Sequence, residues 1–271
     1  FLIPTVISCA MGILLPQIDE TAPQKSTARD ARQTGPVDML PYSADAAALL
    51  AFLAAWIGYA RFVKLRHDKS PGLNALMNAQ RDVWMDEMAR REVRIVDTAI
   101  TSTLQNGTAF FASTSLLAIG GAATVLRSTD DVVRLFAELP FAPSITRSLW
   151  EMKTIGLMAI FGYAFFKFGW SYRLYNYSAI LIGATPPTTS PDTAAREKAA
   201  RRAASMSVVA GRHFADGQRA LFFSFAYLGW YLGPVVFMLT TLLIMIVIYR
   251  RQFHSDALEA LVREADDAPK S

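Results

Sequence analysis

The sequence predicts an all-α fold, a helical integral membrane protein with about four transmembrane helices, and three observations lead there. Two long runs, Thr98–Leu126 and Leu221–Tyr249, contain no Asp, Glu, Lys or Arg, and about 20 predominantly apolar residues suffice to cross a bilayer core as a helix. Backbone groups in lipid must satisfy one another, so such a run is either a spanning helix or the buried core of a large soluble protein. Composition decides for the membrane. The chain is 52% hydrophobic and 18% charged, where a soluble domain is about a quarter charged.

The elements follow in order. Residues 1–16 (FLIPTVISCAMGILLP) form an apolar N-terminal segment, read as an additional or truncated hydrophobic anchor. Val6-Ile7-Ser8-Cys9 resembles a lipoprotein cleavage box, a reading set aside because residues 1–8 are present in the chain. Residues 17–43, with prolines at 23, 36 and 41, read as a polar linker. A helical membrane domain covers 44–253, and a polar C-terminal tail covers 254–271. Its first span is 44–63, with Trp56 and Tyr59 near one interface and Arg61 and Lys64 able to snorkel.

Ser70-Pro71 opens an amphipathic helix, with Ser as N-cap and Pro at the first helical position. Leu73, Met77, Trp84, Met88 and Ile95 mark its apolar face, and Arg81, Asp82, Asp86, Glu87, Arg90 and Arg91 its polar one. This helix packs against the bundle or lies at the membrane surface, with a partner-docking groove as the sharper alternative. The second span falls at 105–126, where Gly107, Ala109, Ala112, Ser113, Gly120 and Gly121 let neighbouring helices approach closely. A short amphipathic turn and loop leads to the third span, 149–172. Adjacent prolines near 186 break the chain before an Ala- and Arg-rich helix over 193–216. The last span, 221–249, carries Gly233-Pro234 as a helix kink.

Charge sets the orientation. Arg61–Arg94 and Lys167–Arg219 carry eight Lys or Arg each, against three between the second and third spans and four in the tail. The positive-inside rule then places the basic loops 61–97 and 167–219 on the cytoplasmic side, in a bacterial inner membrane or an equivalent one. Arg250-Arg251 conflicts, since it falls outside. A five-span reading with Gly233-Pro234 as a hairpin tip removes the conflict, but its halves hold only about 12–15 uncharged residues each, too few to span.

Several segments are similar to an uncharacterised integral membrane family, domain of unknown function 599. They are Arg94-Ile95-Val96-Asp97, Phe110-Phe111-Ala112-Ser113-Thr114, and Phe165-Phe166-Lys167-Phe168-Gly169-Trp170-Ser171 with Arg173 and Asn176. Gly183-Ala184 with Pro186, Arg212-His213-Phe214, Arg219-Ala220 and Gly233-Pro234 continue the likeness in order, over residues 44–253. The resemblance implies a multi-span helical membrane protein. It supplies no activity and carries over no catalytic residue.

Lys167 is the charge of most interest, because it falls within a span where a cation costs about 2.5–3.5 kcal/mol at the helix centre. Tyr163 and Trp170 share its face and suit cation–π contact. With Arg173 and Asn176 it suits a phosphate or carboxylate head group. Arg212 and Arg219 add a basic cluster near the last span. These five are the candidate anion, lipid or partner-binding residues, and an interfacial snorkelling lysine is the plainer alternative. Arg94 and Asp97 are candidates for structural ion pairing, Asp97 with Arg94, Arg173 or Arg219. Catalytic residues, metal ligands and cofactors are not expected. One Cys and three dispersed His form no ligand set, and no Gly-rich phosphate loop or paired-carboxylate motif appears. The net charge of +4 comes without interleaved stacking aromatics, so nucleic acid is not an expected partner.

The expectation is therefore a non-catalytic membrane protein, an accessory or scaffolding subunit of a larger membrane complex, with membrane lipids and other integral membrane subunits as partners. A transporter or anionic-lipid-handling protein built around Lys167 and Arg173 is the alternative.

Overall fold

Helices follow the apolar runs, and two of them begin at residues whose side chains satisfy a free backbone N–H group. The computed structural model describes residues 39–66, 72–137 and 146–266, and among them it contains helices and no strand. The helices are α1 (Met39–Leu65), α2 (Leu73–Arg90), α3 (Ile95–Arg127), α4 (Thr129–Ala137), α5 (Arg147–Gly183), α6 (Thr193–Leu228), α7 (Pro234–Phe253) and α8 (Asp256–Asp266). A 3₁₀ turn, Gly229–Leu232, joins α6 to α7. All lie in one compact unit, Pro41–Ser271, with α1 beginning two residues before it. The anchor expected at 1–16 and most of the linker expected at 17–43 lie outside the described residues. The linker's last residues belong to α1, with Pro41 in the first turn, where a missing N–H is no loss.

Caps and a first-position proline explain three of the other boundaries. Thr146 accepts a hydrogen bond from the Leu149 N–H (3.4 Å), and Asp192 accepts one from the Ala195 N–H (2.8 Å). Pro234 stands at the first position of α7. The polar C-terminal tail contains α8, whose Leu258, Leu261 and Val262 recur at helical spacing.

The frame is the antiparallel pair α5–α6. Ser171 Oγ donates to the Ala210 carbonyl (2.8 Å) and Ser178 Oγ to the Ala203 carbonyl (3.2 Å), so the register holds along the pair. Small residues make the approach close. At Gly217 a Cβ would lie 2.8 Å from the Phe168 ring, itself packed between Phe111 and Phe214. α3 runs along α5, and Gln105 Nε2 donates to Asn176 Oδ1 (2.7 Å) between them. α2 stands along α6, where Met85, Met88 and Ala89 pack on Ala200, Ala203 and Ala204. It therefore packs on the bundle. Its buried side is made by Met85 and Met88, Met77 is exposed, and Ile95 belongs to α3. α1 joins through Phe52 and Trp56, which meet Phe223 with centroid distances of 5.6 and 5.1 Å.

The segment Leu221–Tyr249 is not one kinked span. The chain reverses at Gly233, whose φ of 120° belongs to the region only glycine adopts freely. Thr240 Oγ1 of α7 donates to the Ala226 carbonyl of α6 (2.8 Å), and Arg251 lies over the Phe222 ring (5.6 Å). Residues seven before and seven after Gly233 thus face each other, as in a hairpin. Counting uncharged residues hid this, because the first arm extends back through Arg212, Asp216 and Arg219 inside the continuous helix α6.

The reversal sets two ends for the bundle. The turn end holds Asp45, Lys153 and Gly233. The basic end holds the last turns of α1 and α7, with Phe62 against Tyr249 (6.2 Å) and Phe253 (6.1 Å). Arg250-Arg251 therefore sits at the same end as the two basic segments, against the orientation expected for a four-span chain.

Three helical segments are long and apolar enough to cross a membrane: Ser43–Val63, Ile95–Arg127 and Pro234–Val262. No more than 17% of any of these apolar windows is buried. Leu50 and Ile57 on α1, Phe110 and Leu117 on α3, and Val235 and Leu242 on α7 all face outward. Apolar side chains turned away from the protein on several helices at once are what a lipid-facing surface requires.

Candidate functional site

Three polar clusters are strung along α5 and its neighbours. The first lies at the turn end. Lys153, in the second turn of α5, is buried, with its side chain 2% exposed. Its Nζ lies 3.2 Å from Asp45 Oδ1 of α1 and donates to the Trp230 carbonyl (2.9 Å). The Trp230 indole N–H donates to the same Asp45 oxygen. Beside them, Tyr231 donates its hydroxyl proton to Thr154 Oγ1 (3.0 Å). The ammonium thus meets a carboxylate and the free carbonyl end of α6 and its turn, where a cation is favoured. Nearby, exposed Arg147 binds Asp130 (3.0 Å) and Glu151 (2.8 Å). The Glu151 hydrogen bond, then the Asp130 charge, raises the guanidinium pKa above its ordinary value.

The second cluster is central. Lys167 of α5 pairs with Asp216 of α6 (2.9 Å), and the other Asp216 oxygen accepts from Arg219 one turn further on. Lys167 also lies over the Tyr163 ring (5.5 Å), as expected from their spacing. Trp170 serves Arg173 instead, at 6.0 Å. Arg173 is exposed and donates to the Tyr177 hydroxyl (2.6 Å). Asn176 is engaged by Gln105 of α3, and Arg212 is exposed. The clamp of Lys167, Arg173 and Asn176 is therefore not formed. Lys167 and Arg219 do come together, through an aspartate the sequence reading passed over.

The third cluster ties the far ends of α3 and α5. Asp97, wholly buried, accepts from the Trp84 indole (2.7 Å) and from Arg91 (2.9 Å) on one oxygen, while Oδ2 has no hydrogen-bond partner. Its partner is Arg91, not Arg94, Arg173 or Arg219. Arg94 instead donates to the carbonyls of Thr185 (2.5 Å) and Pro186 (2.7 Å), closing the C-terminal end of α5. Its guanidinium satisfies carbonyls that the end of a helix leaves free.

Asp45 and Asp216 were findable. Asp45 is the sole carboxylate of α1, and Asp216 the sole one between Glu197 and Asp256. A lone acid in an apolar run calls for a lone base elsewhere, here Lys153 and Lys167. Among the described residues no three His, Cys, Asp or Glu side chains gather in a way that could hold a metal ion. An open groove of about 750 Å³ lies between α5 and α6 near their loop, lined by Leu181, Lys198, Arg202, Met206 and Val209 among others.

The architecture defines an all-α bundle of long helices with several apolar faces turned outward and ion pairs that join α1 to α5 and α5 to α6. The chain belongs to the family described as Protein of unknown function, DUF599, whose model matches residues 47–257. Neither a curated protein nor a solved structure matches it.

Proposed function

We propose that this chain is a non-catalytic multi-pass membrane protein whose basic end faces the cytoplasm, serving as an accessory or scaffolding subunit of a larger membrane assembly. Helix length carries the reading. α5 and α6 have 37 and 36 residues, or about 55 Å each at 1.5 Å per residue, whereas the hydrocarbon core is about 30 Å thick. With the turn end of the bundle at one face of the core, roughly 25 Å of the helical pair projects from the other. α2 and the start of α3 brace that projection, through Met85 and Met88 on α6 and through Arg94 and Gln105 on α5. A braced helical stalk standing off a membrane is suited to holding partners.

The crossings are α1, α3, α7, the first half of α5 and the second half of α6. With the reversal at Gly233, the two eight-cation segments and the four cations of the tail share one side, and three cations lie opposite. That bias supports a cytoplasmic basic end. Internal pairing of Lys153 and Asp97 supports a structural use of these charges rather than a substrate path. The test is mild-detergent extraction from native membranes, native gel separation and mass spectrometry of what migrates with the chain. Stoichiometric migration with one defined complex is expected. Migration alone, or as copies of itself, contradicts the scaffold role and moves the reading to transport or lipid handling.

A further inference from the structure

We infer that Lys167 and Arg219 form a binding site for a singly charged phosphate group, the chemistry shared by an acidic phospholipid headgroup and free phosphate. The inference rests on the membrane placement proposed above, and it begins from a charge imbalance. Two cations share one carboxylate at Asp216, so the cluster keeps one unit of positive charge. The three side chains are 24%, 19% and 30% exposed for Lys167, Arg219 and Asp216, so the cluster is half-hidden but open to an approaching ligand. Unbalanced charge in a zone of low dielectric is costly, and a phosphate monoanion removes the imbalance.

Depth fits a headgroup. Lys167 lies 17 residues along α5 from buried Trp150, about 25 Å at 1.5 Å per residue, close to the far face of a core about 30 Å thick. Tyr163 under Lys167, with Trp56 against Tyr163 (5.8 Å), closes the side toward the core. Access is from the basic end, where Arg212 and Arg251 are exposed. No carboxylate of α5 beyond Glu151, and none of α6 beyond Glu197 other than Asp216, is present to compete.

Full-length protein, shown to resist alkaline extraction from membranes, is reconstituted with phosphatidylcholine alone or mixed with phosphatidylglycerol. Native mass spectrometry then reads the retained lipid. The wild type is expected to retain phosphatidylglycerol roughly tenfold over phosphatidylcholine, and Lys167→Gln/Arg219→Gln to lose that preference. Asp216→Asn breaks the same ion pairs while adding net positive charge, so it is expected to retain phosphatidylglycerol at least as well as the wild type. Competition with inorganic phosphate separates the sources: displacement assigns a free-anion site, and persistence assigns a lipid site. Equal retention by wild type and the double variant, or loss in Asp216→Asn, overturns the proposal. Release at alkaline pH would instead contradict the membrane placement itself.

Discussion

Lys153 donates a hydrogen bond to the carbonyl oxygen of Trp230 at 2.9 Å, joining the start of α5 to the turn between α6 and α7. Asp45 of α1 completes the contact from a third direction, at 3.2 Å from the same ammonium. Two helices and the turn between two others thus meet at one buried cation. Removing it leaves a carboxylate and a carbonyl buried together without a donor of positive charge.

Lys153→Met is therefore expected to destabilise the protein by about 3–5 kcal/mol, the range for breaking one partner of a buried pair. Asp45→Asn combined with Lys153→Met is expected to cost less than the sum of the single changes, because no charge is then left uncompensated. Thermal unfolding in detergent of the two single variants and the double variant measures both effects. Strict additivity would mean that the pair is not coupled.

Gly233→Ala tests the reversal of the chain. No neighbouring atom lies within 4 Å of a Cβ at this position, so the penalty is confined to the backbone at φ 120°. A loss of about 1–3 kcal/mol is expected, read as a lower unfolding midpoint. A raised midpoint is the result to expect of a chain that passes straight through this position as a helix, where alanine is favoured over glycine.

Gly217→Ala tests the closeness of α5 and α6. The added Cβ would meet the Phe168 ring at 2.8 Å, and that ring is fully buried. Overpacking of this kind costs about 1–3 kcal/mol. Phe168→Leu in the same chain is expected to recover part of the loss, and unfolding midpoints of the three variants decide it.

Much of the fold was legible because long apolar helices advertise themselves. Thr98–Leu126 lies inside α3, and the amphipathic pattern after Ser70-Pro71 is α2, within a few residues at each end. The hairpin at Gly233 is set aside on the sequence because charge there marks the limit of a span. Asp216 and Arg219 continue α6 because they pair with each other and with Lys167, which a linear count of charges cannot register. The site shows the same limit. Lys167 stood out as a cation among apolar neighbours, but its partner lies 49 positions away on another helix. Arg173 and Asn176 seemed grouped with it by sequence spacing, yet one is exposed and the other faces α3.

Sidedness of single cysteines tests the central claim, that the chain reverses at Gly233 and returns its end to the basic side. In a Cys9→Ser background, Arg147→Cys, Arg202→Cys and Arg251→Cys are placed one at a time and exposed to a membrane-impermeant maleimide in sealed vesicles of known orientation. Labelling of Arg202→Cys and Arg251→Cys from one side, with Arg147→Cys from the other, is the predicted result. Labelling of Arg251→Cys from the same side as Arg147→Cys would contradict the hairpin and restore a single last span.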